Sequence, residues 1–289
     1  MSGILFFAPP HTITSVIFIA VIGLIVGSFL NVVIHRLPIM MQHEIDNFVA
    51  SESGKPEPHT GRYNLMLPRS ACPHCGHLIS ATENIPVFSY LFLRGKCASC
   101  QAKISVRYPL VELLTSFLSA YVVWTFGSGV QGLASVVFVW FIIALTYIDY
   151  DTKLLPDSLT LPLMWLGLLV NAHSAPFSSL HDAVLGACIG YLSLWSVYWL
   201  FKLLTGKEGM GYGDFKLLAA LGAWLGWANL PLIILLSSLV GAVIGVSLIL
   251  AKKLQKDNTI PFGPYLAGAG IIALLWGKQI TQQYLGLFY

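Results

Sequence analysis

Two aspartates, Asp149 and Asp214, lie at the ends of long apolar segments and are the strongest candidates for chemistry. Asp149 directly follows an uncharged run over 130–148, and Asp214 follows Gly211 and Gly213 at the start of another apolar run. When two carboxyl groups share a partly dry site they do not both ionise easily, so one keeps a proton that the other has lost. Such a pair supplies a base that activates water and an acid that polarises a carbonyl group. The two residues therefore predict hydrolytic acid–base chemistry, provided that the fold brings them together.

A structural role is the alternative for the acidic residues in these two regions. Asp214 would then simply cap a helix while the neighbouring glycines form a turn. Asp157, which follows Pro156, is predicted to cap the next helix and to have no chemical role. Asp151 lies two residues beyond Asp149 and is the reserve candidate for the catalytic position.

The helix ends predict which of the two aspartates carries the charge. Asp149 is expected at the C-terminal end of its helix, where the helix dipole disfavours an anion, and Asp214 at an N-terminal end, where the dipole favours one. On this argument Asp214 is predominantly the anion and Asp149 predominantly the acid. Because the two groups titrate jointly, this is a bias and not an assignment.

Four cysteines form a second constellation with a recognisable spacing. They occur as two C-x2-C pairs separated by a spacer of 21 residues, namely Cys72, Cys75, Cys97 and Cys100. Four thiolates in two close pairs are typical of a tetrahedral structural zinc site, and they leave no open position for a catalytic water. Disulfides are the alternative, which a reducing compartment disfavours. The pattern predicts structural zinc in a short polar segment with little apolar material of its own.

The composition places these residues in a membrane protein. Of the 289 residues, 56% are apolar and only 10% are charged. The predicted fold is all-α and polytopic, with about eight transmembrane helices and a small zinc-bound cytoplasmic insert. The candidate spans are 12–34, 109–124, 130–148, 158–170, 183–204, 215–228, 230–251 and 264–280. The net charge of +3 is too small and scattered to indicate nucleic acid.

The basic residues predict the orientation of these spans. With eight spans, the connections over 35–108, 149–157, 205–214 and 252–263 lie on one side of the membrane. These connections and the adjoining helix ends contain fifteen of the sixteen lysines and arginines, all except Lys278. By the positive-inside rule that side is cytoplasmic. Asp149 and Asp214 are therefore both expected at the cytoplasmic surface.

Three domains follow from this topology: a first transmembrane helix over 1–35, a zinc-binding insert over 36–108 and a membrane core over 109–289. Near the end of the first helix, Gly27, Ser28 and Asn31 predict close helix packing with an amide hydrogen bond between helices. Glu112 begins the second span. It is expected either to pair with a basic residue at the membrane boundary or to line a cofactor or substrate site.

Taken together, these motifs resemble those of the type IV prepilin peptidases, bifunctional membrane enzymes also called prepilin leader peptidase/N-methyltransferases. The resemblance covers nearly the whole chain. It includes the G-x-G-D signature of intramembrane aspartyl proteases, which ends at Asp214. The matching segments are 27–31, the tetracysteine insert, 107–112, 149–157 and 211–216.

The resemblance implies a function that the residues alone do not give. It implies that Asp149 and Asp214 cut the leader from type IV prepilins and type II secretion pseudopilins after a glycine, in the bacterial inner membrane. It also implies that the new N-terminal residue, usually phenylalanine, is methylated from S-adenosylmethionine. No methyl-donor motif is visible in the sequence, so the donor site is placed at Glu112 and Gly95, in and beside the insert.

Two other classes of protein remain as alternatives. An ion-coupled transporter also carries intramembrane carboxylates, but it would place them near the bilayer midplane and would show internal repeats. A zinc-bearing scaffold without catalysis would tolerate asparagine at both aspartate positions.

Overall fold

The computed structural model describes residues 12–207, 209–251 and 260–286, without the side chains of 284–286. Most of the described residues are helical, and none forms a strand beyond two isolated bridges in the insert. The chain divides into two compact units, an N-terminal unit over 1–124 and a C-terminal unit over 125–289. The basic residues Lys252, Lys253 and Lys256, which contribute to the predicted orientation, lie outside the described residues.

Nine α-helices are present in the described part of the chain. Helices α1 to α3 begin in the N-terminal unit, and α4 to α9 lie in the C-terminal unit. Their bounds are α1 (Ile13–Glu52), α2 (Phe88–Phe92), α3 (Arg107–Phe126), α4 (Val130–Thr152), α5 (Asp157–Ser174), α6 (Leu180–Thr205), α7 (Tyr212–Leu225), α8 (Leu230–Leu250) and α9 (Gly263–Gly286).

Five helices in the described chain are long and apolar enough to cross a membrane: α1, α3, α4, α6 and α8 with the short turn before it. Each of the eight predicted spans lies largely within a helix, so the helical, multi-pass character of the prediction is confirmed. Helices α5 and α7 have only 18 and 14 residues, whereas a straight span needs about 20.

Helix α1 is longer than predicted, because it does not end at residue 34 but continues through Pro38 to Glu52. Contacts with the following segment hold this extension. Asn47 exchanges two hydrogen bonds with the backbone of His59, at 2.9 and 3.0 Å. The His59 ring stacks on His43 at 3.8 Å between ring centroids. Sequence reading could not anticipate these contacts, since they join residues from a loop with no periodic pattern.

Helices α1 and α3 pack closely along a face of small residues. A Cβ atom added to Gly23 or Gly27 would lie 2.7 Å from a backbone Cα of α3, so only glycine permits this approach. Asn31 donates a hydrogen bond from Nδ2 to the carbonyl of Tyr108 at 3.1 Å. The predicted close packing and amide hydrogen bond are thus confirmed.

Helix α7 forms the centre of the C-terminal unit. Eleven of its fourteen residues are buried. Gly222 of α7 meets Gly186 of α6 so closely that a Cβ on either would lie under 2.5 Å from the other's carbonyl oxygen. Trp224 is fully buried and donates from its indole to the Leu163 carbonyl of α5 at 2.7 Å. Asp214 therefore projects from a helix that is fixed on several sides.

Candidate active site and metal centre

The two predicted aspartates meet in the C-terminal unit. Asp149 lies in the last turn of α4 and Asp214 in the first turn of α7. Their exposed fractions are only 4% and 7%. The two carboxyl groups are close enough for the charge of Asp149 to act on Asp214. The chain thus buries two interacting carboxyl groups in one place. Their burial costs folding free energy, which indicates that the pair has a function.

Asp149 is held by the start of α9. Its Oδ2 accepts a hydrogen bond from the backbone N–H of Gly263 at 2.9 Å, and this contact is buried. Gly263 is the first residue of α9, where backbone N–H groups have no partner within the helix. A Cβ on Gly263 would lie 2.6 Å from the same oxygen. Glycine is therefore needed here for space around the carboxyl group.

Asp214 has a different environment. The backbone N–H of Gly211 lies near its carboxyl group. Its Oδ1 is buried and has no hydrogen-bond partner among the described protein atoms. A buried acceptor without a partner is unfavourable, and it is typical of a site that is completed by water or by a ligand.

Leu155 connects the segments that hold the two aspartates. If Gly213 carried a Cβ atom, that atom would lie 2.7 Å from the Cβ of Leu155. A Cβ atom on Gly263 would lie 3.2 Å from the Cδ1 of Leu155. Both glycines therefore allow the backbone to approach this leucine. The glycine before Asp214 thus has a packing role that accounts for its presence in the G-x-G-D signature.

The segment 261–264 is a part of the site that the sequence reading missed. It reads Pro261-Phe262-Gly263-Pro264 and starts the last apolar helix, on the side predicted for the aspartates. A glycine between two prolines at a helix start is a signal for a fixed turn. The predicted topology assigns 261–263 to a basic loop and 264 to the start of the last span.

Asp157 has a structural role, although not the predicted one. It is the first residue of α5, and Pro156 takes the capping position. Its carboxylate accepts from Lys216 Nζ at 2.6 and 2.7 Å. This ion pair ties α5 to α7 two residues after Asp214. Asp151, the reserve candidate, is exposed on the last turn of α4.

The four cysteines converge in the N-terminal unit. All four sulfur atoms lie within 4.8 Å of one another. Cys72 and Cys100 are 3.8 Å apart and Cys75 and Cys97 are 4.0 Å apart, sulfur to sulfur. A tetrahedral zinc ion with Zn–S bonds of about 2.3 Å requires sulfur–sulfur distances of about 3.8 Å. The donor set and its spacing therefore fit a tetrahedral metal ion.

Backbone groups favour the thiolate form of Cys72, one of the four cysteines. The backbone N–H groups of His74 and Cys75 lower the pKa of the Cys72 thiol to about 7. The thiolate is the form that binds metal, so this arrangement favours the ligand state. Gly76, just after the first pair, has a positive φ of 72° that closes the turn.

Glu112 bonds to the residue just before the short helix α2, and Gly95 bonds to a residue within that helix. Glu112 accepts a hydrogen bond from the Val87 N–H at 2.7 Å, and its side chain also bonds that of Ser28. Gly95 has a positive φ of 68°, and its N–H donates to the Tyr90 carbonyl at 2.8 Å. Both residues thus fix the segment that leads into the second cysteine pair.

Comparison with known protein families gives two matches, one largely within the N-terminal unit and one within the C-terminal unit. Residues 21–126 match the family described as the bacterial peptidase A24 N-terminal domain. Residues 136–246 match the type IV leader peptidase family. The two matches contain the cysteine cluster and both aspartates, respectively. No solved structure matches the chain significantly.

Several curated relatives match over nearly their full length. The prepilin leader peptidase/N-methyltransferase of Stutzerimonas stutzeri is 60% identical over 266 residues, which is 92% of each chain. The protein of the same name from Pseudomonas aeruginosa is 59% identical over 276 residues, or 95% of each chain. That of Aeromonas hydrophila is 60% identical over 271 residues and 92% of each chain. The chain therefore belongs to the type IV leader peptidase family.

Proposed function

We propose that this chain is a membrane aspartyl endopeptidase that removes the leader of type IV prepilins and type II secretion pseudopilins after a glycine. It then N-methylates the new N-terminal residue with S-adenosylmethionine. The observation that carries the peptidase half is the buried pair of Asp149 and Asp214, in which one oxygen of Asp214 has no hydrogen-bond partner within the described part of the chain. A water molecule or a peptide carbonyl group would complete that site.

The hydrogen bonds favour a division of labour between the two carboxyl groups. Asp149 receives the Gly263 N–H at the positive end of α9, which stabilises its carboxylate form. The unpartnered Oδ1 of Asp214 is better suited to a protonated carboxyl group. This bias is the reverse of that predicted from each residue's own helix, because the prediction did not include α9.

The reaction then follows from these two states. Asp149 takes a proton from water, and the water oxygen attacks the carbonyl carbon of the scissile bond. Asp214 gives its proton to the carbonyl oxygen, so a neutral tetrahedral intermediate forms. When this intermediate collapses, the C–N bond breaks and the leaving amine takes the proton now held on Asp149. The hydroxyl proton of the intermediate returns to Asp214, which restores the starting state.

The proposed topology has eight spans in the bacterial inner membrane, with the aspartates on the cytoplasmic side. The distribution of lysine and arginine supports this orientation. Three functional domains are proposed: the first transmembrane helix over 1–35, the zinc-binding insert over 36–108 and the protease core over 109–289. A substrate whose apolar segment lies in the bilayer and whose basic leader lies in the cytoplasm would present its cleavage bond at this boundary.

The metal proposed for the cysteine cluster is zinc in a structural role, held by Cys72, Cys75, Cys97 and Cys100. The sulfur–sulfur distances support it, and a four-cysteine shell leaves no position for a reacting water. No step of the reaction passes through this metal.

Replacing Cys75 with serine is expected to remove the metal and lower the amount of folded protein severalfold, since the segment has little apolar core of its own. Metal content by mass spectrometry and protein abundance in membranes would measure both effects. Cys188→Ser, in α6 and outside the cluster, is the matched control. Full zinc occupancy in Cys75→Ser would contradict the proposal.

The methyl-donor site is proposed to include Glu112 and Gly95. Their hydrogen bonds to Val87 and Tyr90, three residues apart, support a common location, and a carboxylate suits the hydroxyl or amino groups of S-adenosylmethionine. When bound, the donor supplies a methyl group on sulfur to the free amine. Glu112 would orient the donor, and Gly95 would shape the turn beside it.

The Glu112→Gln variant separates methyl transfer from cleavage. We expect methyl transfer to fall about 10-fold or more, because a hydrogen bond to a charged group is lost, while leader cleavage is retained. Binding of S-adenosylmethionine measured by calorimetry should weaken in parallel. Glu57→Gln, at an exposed position of the insert, provides the control. Equal loss of both activities would instead assign Glu112 to the fold of the N-terminal unit.

The experiment that tests the whole proposal mixes the purified protein with a prepilin, with and without S-adenosylmethionine. Mass spectrometry should show a product without the leader, and a product heavier by one methyl group only when the donor is present. An intact prepilin would reject the peptidase and would favour the transporter or scaffold alternatives.

A further inference from the structure

The short helix α2 in the N-terminal unit carries large apolar side chains that are exposed. Phe88, Leu91 and Phe92 are 54%, 64% and 85% exposed, and none of the five residues of α2 is buried. Positions i, i+3 and i+4 lie on one face of a helix, so these three side chains form a single surface, the α2 patch. Exposed apolar surfaces of this kind mark contacts with a partner or with lipid.

A hydrogen bond fixes the start of α2 against two membrane helices. The N–H of Val87, the residue before α2, donates to Glu112 of α3 at 2.7 Å. From Arg107 to Glu112, α3 rises about 8 Å at 1.5 Å per residue. Gly27 of α1 lies against the same residue, because a Cβ on Gly27 would be 2.7 Å from the Cα of Glu112. The start of α2, Glu112 and Gly27 are therefore neighbours.

This contact determines the depth of α2 relative to the apolar part of α1. The first charged residue of α1 is Arg36, which lies about 14 Å beyond Gly27 along the helix. Helices α1 and α3 are both long and apolar enough to cross a membrane. The start of α2 is thus level with apolar segments of two candidate spans. Amphipathic elements at a membrane surface place their apolar side chains at a similar depth, about 5–10 Å into the boundary between headgroups and acyl chains.

Basic residues directly follow the α2 patch. Arg94 and Lys96 come just after α2, and both are exposed. An antiparallel bridge pairs Lys96 with Lys103, which is also exposed. Like charges directly opposite each other are unfavourable, and none of these three residues forms an ion pair with a carboxylate in the described part of the chain. The three cations therefore favour an anionic partner beside the patch.

We propose that α2 is a membrane contact, in which the α2 patch enters the lipid leaflet and Arg94, Lys96 and Lys103 bind the phosphate groups of anionic phospholipids. Apolar and basic side chains on one short segment suit such a surface. A second copy of the chain fits less well, because three apolar side chains are far fewer than the roughly 20–30 residues per side of a stable protein interface. The contact is independent of the proposed peptidase function, and it would hold the insert against the membrane.

Photo-cross-linking in vesicles tests the apolar half of this contact. A photoreactive phenylalanine analogue replaces Phe92 in the full-length protein, which is reconstituted with equal amounts of phosphatidylethanolamine and phosphatidylglycerol and irradiated. The control places the analogue at Glu57, which is exposed between the contacts that hold the α1 extension, away from the apolar part of α1. Mass spectrometry should show at least about 10-fold more lipid adducts from position 92 than from position 57.

The basic residues are tested by the composition of these adducts. With the analogue at position 92, we expect about 3-fold or more phosphatidylglycerol over phosphatidylethanolamine, because basic side chains concentrate anionic lipid around them. The combined variant Arg94→Gln, Lys96→Gln and Lys103→Gln should bring the two lipids close to equal proportions. Lys55→Gln, at an exposed lysine near the end of α1, should keep the preference of the unaltered sequence.

Separate measurements distinguish a lost lipid contact from a damaged insert. Zinc content and the thermal unfolding temperature in detergent should be the same with and without the three glutamines, although Lys96 adjoins Cys97. Adducts between two protein chains in place of lipid adducts, or equal lipid adducts from positions 92 and 57, would overturn the membrane contact. Equal proportions of the two lipids with all three basic residues present would overturn the role of these residues.

Discussion

Asparagine at position 149 or 214 is expected to lower kcat/KM for leader cleavage by about 10³-fold or more. General acid–base catalysis contributes about 10²–10⁴-fold per group, and the two groups act as one unit. An asparagine side chain neither accepts the proton of water nor donates one to the carbonyl group as a carboxylic acid does. The double variant should be little worse than either single variant, since each alone removes the shared proton. Cleavage of a purified prepilin, followed over time on gels, measures the effect.

Asp151→Asn is the matched control for this experiment. Asp151 lies on the same last turn of α4 but is exposed, whereas Asp149 is buried. We expect its activity to remain within about 2-fold of the wild type, as is usual for surface substitutions. Retained cleavage in Asp149→Asn or Asp214→Asn would remove that aspartate from the mechanism.

The Gly263→Ala substitution should reduce cleavage about 10²-fold without preventing folding. The added Cβ would lie 2.6 Å from Asp149 Oδ2 and 3.1 Å from its Cγ, so the carboxyl group must move. A displacement of about 1 Å in a catalytic group is enough for such a loss. Alanine is otherwise well suited to the first turn of a helix, so α9 should form normally. The measurement is kcat/KM together with the thermal unfolding temperature in detergent.

Gly268→Ala is the control within the same helix. A Cβ at Gly268 would have no heavy atom within 4 Å. This variant should keep wild-type activity and unfold at the same or a slightly higher temperature. If Gly263→Ala also retained full activity, the contact between α9 and Asp149 would have no part in catalysis.

The chemical groups were predictable from the sequence because their signals are local. The two C-x2-C pairs identify a cluster by spacing alone, and the four sulfur atoms do converge. Asp149 and Asp214 stood out because a carboxylate at the end of an apolar run is costly. Their proximity followed from an orientation argument, and the structure places both in one buried site.

The parts that were not predictable depend on contacts between distant segments. Gly263 reaches Asp149 across 114 positions of sequence, and nothing in its own neighbourhood indicates a carboxylate partner. The proposed reversal of the charge bias rests on this contact, because a helix dipole acts on whichever group it faces and not only on its own residues. The extension of α1 to Glu52 is a similar case, since its support comes from His59 in an irregular segment.

The shortness of helix α7 bears on how a hydrolytic enzyme obtains water inside a lipid environment. Fourteen residues extend only about 21 Å, whereas the hydrocarbon layer is about 30 Å thick. Neighbouring helices shield nearly all of α7, so its polar end can stop short of the headgroups without exposing backbone to lipid. A helix end recessed in this way would let solvent reach Asp214, in the first turn of α7, below the level of the lipid headgroups.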